Sequence, residues 1–173
     1  MSRIAAVAVF CLALSASGLF AQEIHPEKGR ELLDVQVFRS LQAYMLEKRF
    51  DAWIFTGKGT VDDLTREFLG ITAPTKHRWF IVFPGMATVK KPCLIYHPED
   101  AKVFAGLRMY PLPYSSRAEM ENQFTNYLYT FVRKMALNYS PHFEIPELDQ
   151  AGAGVVEWLR EKNFEVISSG SIL

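Results

Sequence analysis

The residues whose types could do chemistry sit in a few short stretches. "KHRWF" gathers Lys76, His77, Arg78 and Trp79. Two cations beside an imidazole and an indole can hold a carboxylate or stack on a planar ligand. The competing reading is a solvated strand end with Trp79 packed inward. Histidines stand at 25, 77, 97 and 142, none paired with another at metal-ligand spacing, and no HExxH or CxxC occurs. "WIFTGKGTVDDL" runs a strand through glycines toward a helix, the setting in which phosphates meet helix N-termini. The motif nevertheless fails. A dinucleotide fingerprint starting at Gly57 needs glycine where Asp62 stands, and a P-loop needs Ser or Thr where Gly59 follows Lys58. Thr60 with Asp63 instead predicts a capping box. Ser168 and Ser169 lack a GxSxG elbow. No catalytic residue, cofactor site or metal site is therefore expected from the residues alone; a ligand contact, if any, falls to His77, Arg78 and Trp79.

The elements that would position these residues alternate. "ELLDVQVFRSLQAYMLEKR" sets Leu33, Val37, Leu41 and Met45 on one helical stripe that Phe38 and Tyr44 widen. "DAWIFT" predicts a strand, and a helix follows from Thr60 to near Gly70. "RWFIVF" and "PCLIYH" form a strand pair, with the "KHRWF" group just ahead of the first. His97 stands at the entry of a short helix with Pro98 at its first position, and acidic Glu99 and Asp100 suit its positive end. "MYPLPY" is broken by proline and can be an edge strand at most. Met120, Phe124, Tyr127 or Leu128, and Phe131 mark another helix. "MALNY", the helix around "VVEWLREKN" and "FEVISS" close the chain, with Trp158 and Leu159 docking that helix. Strand–helix alternation predicts an α/β fold of three layers, a mixed and largely buried sheet with helices on both faces.

Of 173 residues 49% are hydrophobic, including thirteen Phe, which is enough to bury a sizeable core in one domain. Zero net charge without a basic run removes the electrostatic signature of a nucleic-acid binder. "MSRIAAVAVFCLALSASGLFAQ" has the basic start, apolar middle and small-residue end of a secretory leader. Cleavage is expected after Ala21, with Ser17 the alternative, leaving a single domain over 22–173. Uncleaved, Ile4–Ala21 could just span a bilayer, the sole expected membrane contact. Beyond the leader only Cys93 remains, so no internal disulfide can form. Export without disulfides points to a bacterial periplasm. "NYS" at Asn138 is formally a glycosylation sequon, weakened by Pro141.

Several of these stretches resemble the N-terminal domain of the creatinase, prolidase and Xaa-Pro aminopeptidase (aminopeptidase P) family. "DAWIFTGKGTVDDLTREFLGI" is similar to that domain's first strand and its aromatic-Leu-x-Gly-aromatic segment, with Phe68, Leu69, Gly70 and Ile71 standing there. "RWFIVFPG" and "PCLIYHPEDAKVF" resemble its central hairpin and following helix. "MALNYSPHFEIPELDQAGAGVVEWLREKNFEVISSGSIL" resembles its closing strand–helix–strand unit. The resemblance runs from about Arg30 to Leu173. Departures are "FLGI", where the family often has Thr or Ser before the glycine, and the extra "GKG".

The resemblance implies a non-catalytic α/β domain. In the family a second, pita-bread domain carries two Asp, one His and two Glu around a dinuclear metal centre, and the chain is expected to end where that domain would begin. None of those five ligands transfers to a residue here. The family's N-terminal domain often helps form dimers and borders the partner's active site, which directs attention to Arg66 and His77 to Trp79. Three readings stay open. The first is a non-catalytic domain acting in association, as a homodimer or with a separately encoded catalytic domain. The second is a stand-alone exported module binding a small ligand or peptide, which a concave pocket lined by the His77 group would support. The third is a fragment of an active Xaa-Pro peptidase.

Overall fold

The computed structural model describes residues 35–60, 65–66, 69–85, 91–128, 132–143 and 151–171. The expected leader, Leu33, Asp63 of the expected capping box and Phe131 lie outside them. Among the described residues, six strands form one sheet in the order β4-β3-β2-β1-β5-β6. They are β1 Ala52–Gly59, β2 Thr75–Pro84, β3 Cys93–Tyr96, β4 Tyr110–Pro113, β5 Lys134–Leu137 and β6 Glu165–Ser168. β2 runs antiparallel to β1 and β3, while the β1–β5, β5–β6 and β3–β4 pairs are parallel. The sheet is therefore mixed. β4 is the edge strand its prolines allow: Pro111 and Pro113 have no N–H to offer a ladder.

The central strands are buried on both faces, which is why "AWIFT" and "WFIVF" are apolar runs rather than alternations. Alternate side chains enter two separate cores. One face collects Ile54, Phe80, Val82, Cys93, Ile95, Met135 and Leu137 beneath two helices, α2 (Arg117–Leu128) and α3 (Ala153–Glu161). Phe124, Tyr127 and Leu128 of α2 and Val156 and Leu159 of α3 point into it. The other face collects Trp53, Phe55, Trp79, Ile81 and Phe83 beneath α1 (Val35–Glu47), with Leu41 and Met45 of the expected stripe buried. Phe104, from a 3-10 helix over Pro98–Phe104, joins them. This is the expected three-layer α/β architecture. Cys93 is a buried thiol, as a small apolar residue in a strand would be. No helix among the described residues is long and apolar enough to cross a membrane.

Two boundaries differ from expectation. β1 does not stop at Thr56 but continues through "GKG": Gly57 pairs with Trp79 and Gly59 with Thr75, with a register shift between them. Gly59 takes φ +84°, the left-handed region that glycine tolerates. At Gly57 a Cβ would stand 2.9 Å from the Trp79 ring, so the indole occupies the space a side chain would need. The glycine stretch thus serves strand pairing. β2, in turn, begins at Thr75, so Lys76, His77 and Arg78 lie inside the strand rather than ahead of it. The reason is tertiary. The Lys76 and His77 N–H groups donate to the Asp100 carboxylate (2.9 Å each), which stands in for a neighbouring strand.

Candidate functional site

The start of β2 meets the turn that opens the 3-10 helix. His97 precedes Pro98, which favours an extended conformation, and it has φ −82° and ψ 136°. Its Nδ1 accepts the Glu99 N–H at 3.3 Å, so the ring caps the helix that Pro98 begins. Asp100 is 4% exposed and faces back toward β2. There it accepts the two backbone N–H groups and lies 3.2 Å from His77 Nδ1. Burial opposes charge on Asp100, but those donors outweigh it and hold its carboxyl below the usual range.

His77 and His97 stack on one another, ring centres 3.7 Å apart and planes inclined by 23°. Tyr114 presents its ring to His97 at 5.6 Å in a T-shaped arrangement and donates its hydroxyl to the Arg78 carbonyl. Burial pushes the Tyr114 phenol up, as does Asp100, while Arg78 opposes them. On the solvent side Lys76 Nζ lies 3.5 Å from Glu99 Oε2. Ligand-capable atoms of His77, His97 and Glu99 fall within 4.8 Å of one another.

The four residues singled out from sequence do not form one group. Adjacent strand residues face opposite sides, so Arg78 points away from His77 and Trp79. Its Nη1 donates to the Ala151 carbonyl ahead of α3 (3.1 Å), and burial lowers its guanidinium pKa. Trp79 is 2% exposed and packs on Phe104, the inward orientation weighed above. Arg66 is exposed and helical, and the Gly70 N–H donates to its carbonyl (2.9 Å), with Gly70 at φ +66°. Only His77 belongs to the cluster.

Sequence reasoning missed His97 as its companion. They are twenty positions apart, and local spacing tests do not see contacts made by folding. The one available signal was that each borders a strand of the same predicted hairpin. A shallow groove of about 390 Å³ exists elsewhere, lined by Lys91, Tyr110, Leu112, Gln123, Asn126 and Tyr127. None of these residues is in the His77 cluster.

Comparison with known proteins gives a fold and no more. No family model matches the chain, and no curated protein matches it. Among solved structures, it is similar to the creatinase/prolidase N-terminal domain of an X-Pro dipeptidase from Streptococcus pyogenes. That match has a TM-score of 0.57 and 13% identity, covering 78% of this chain and 93% of that one. A proline dipeptidase from Streptococcus pneumoniae matches with a TM-score of 0.56 and 11% identity, covering 78% of this chain and 91% of that one. The prolidase from Pyrococcus horikoshii matches with a TM-score of 0.52 and 12% identity over 78% of this chain, which spans only 33% of that protein. The chain has the creatinase/prolidase N-terminal domain fold, as the resemblance of its strands and closing unit implied.

Proposed function

We propose that the chain is a non-catalytic domain of the prolidase N-terminal type that acts in association with an Xaa-Pro peptidase catalytic unit. The observation that carries this reading is the pattern of coverage. The fold accounts for nearly all of the Streptococcus pyogenes domain but a third of the Pyrococcus horikoshii prolidase. Function has to be argued from a site, and the described side chains of the two cores serve packing between the sheet and its helices. The catalytic unit is either continuous with this chain or separately encoded, and a homodimer of the domain is compatible with both. The apolar leader over 1–21 directs the product across the inner membrane of a bacterium to the periplasm.

The test is immunoprecipitation of the native product from periplasmic and cytoplasmic fractions of its own cells, followed by an Xaa-Pro cleavage assay with added manganese. Activity is expected in the periplasmic precipitate and not in purified 22–173. An inactive precipitate, or cleavage by the purified chain itself, overturns the reading. A precipitate found only in the cytoplasm overturns the export step alone.

A further inference from the structure

We propose that His77, His97 and Glu99 form a binding site for a divalent transition-metal ion of the zinc type. Their ligand atoms already lie within 4.8 Å of one another, brought together from β2 and from the turn before Phe104. The donor set is two imidazoles and one carboxylate, which suits zinc, cobalt or nickel. Calcium and magnesium demand more oxygen ligands than this site has.

The support behind the site is the stronger argument. His77 gives its Nδ1–H to Asp100, which leaves Nε2 as the nitrogen able to bind a cation. Asp100 is itself buried and fixed by two backbone N–H groups. A carboxylate behind a histidine fixes its tautomer and ring orientation, the arrangement found behind metal-bound imidazoles.

Binding requires specific changes. Atoms bound tetrahedrally to one zinc ion sit about 3.3 Å apart, so the set must close by at most roughly 1.5 Å. Stacked rings direct their in-plane lone pairs side by side, so the His97 ring must turn about χ2, a soft torsion. That turn gives up the 3.3 Å contact from the Glu99 N–H. Glu99 must also leave Lys76, and that pair is solvent-exposed on both sides (57% and 76%) and weak in water. A fourth position is left for water or for a group from outside.

The experiment is calorimetric titration of the tag-free chain with zinc chloride, alongside cobalt(II) absorption spectra and melting curves. One zinc per chain is expected, with a raised Tm and the visible bands of tetrahedral cobalt. His97→Ala and Glu99→Gln should each weaken binding by about tenfold or more. Glu99→Gln keeps the backbone N–H and so tests the ligand with the cap intact. His25→Ala and His142→Ala should stay within about twofold of the parent, because the proposed ligands are His77, His97 and Glu99 alone. The proposal fails if binding does not saturate or if calcium binds as well as zinc. It also fails if Glu99→Gln and His97→Ala, melting as folded proteins, retain parental affinity, or if His25→Ala or His142→Ala abolishes binding. Peptidase activity enters none of these outcomes, so the site can fail while the associated-domain reading stands.

Discussion

Asn138 continues a strand pair with a side chain. Beyond Leu137 its Oδ1 accepts the Thr56 N–H at 3.0 Å and its Nδ2 donates to the Thr56 carbonyl at 2.9 Å. The amide thus extends the β1–β5 ladder for one more step. Asn138 is also 1% exposed, so the folded chain presents no acceptor at the "NYS" sequon. Asn138→Ala would leave both Thr56 groups buried without this partner and should lower stability by about 1–3 kcal/mol in urea unfolding. An unchanged midpoint would mean water replaces the amide. Tyr127 offers a test by pH. Its hydroxyl donates to the Lys91 carbonyl, and burial, reinforced by Cys93, raises its pKa above the ordinary value of 10.0. The unfolded chain then loses this proton first, so the contribution is complete below pH 10 and declines as pH rises beyond it. Tyr127→Phe should make the alkaline fall in stability shallower than in the parent. Equal slopes would show that the phenol titrates alike in both states. None of these partnerships was legible in the sequence, because each joins residues 36 or 82 positions apart.

At the scale of elements, sequence reading did better, and the reasons are specific. "WFIVF" and "CLIY" are continuous apolar runs because both faces of their strands are covered, and such runs survive any detail of register. The α1 stripe reports a single contact face. What stayed illegible were ends set by distant partners, namely β2 prolonged by Asp100 and β1 prolonged by Trp79 and Thr75. The cap of α2 could have been found: Ser116 Oγ accepts the Glu119 N–H at 3.2 Å, while the Glu119 carboxylate accepts from Ser115 N–H at 2.7 Å. The docking of α3 rests on Leu159, which is fully buried, and on Trp158, whose ring meets Phe124 at 5.2 Å. Leu159→Ala should therefore cost about 2–5 kcal/mol. A denaturation midpoint unaffected by it would place the α3 core contact elsewhere.

For the whole molecule, the decisive feature is that two cores share one sheet and that chain order is not spatial order. β1 is the first strand in sequence yet lies inside the sheet, with β2 on one side and β5 on the other. Its β2 side can be satisfied once residue 84 is present, whereas its β5 side waits for Lys134–Leu137. Chains stopped before residue 134 should consequently be insoluble, and chains carried through Ser168 soluble, when their partition is measured after expression. A soluble monomer ending near residue 128 would show that β4-β3-β2-β1 closes by itself. During synthesis, the apolar strand "AWIFT" must spend the time needed to make some eighty further residues with one edge unmatched. At ribosomal rates of about 5–20 residues per second, that is an exposure of several seconds. The fold therefore depends for those seconds on something to hold its first strand, and a chain threaded unfolded through a membrane channel would meet that need by folding only after its last strand has arrived.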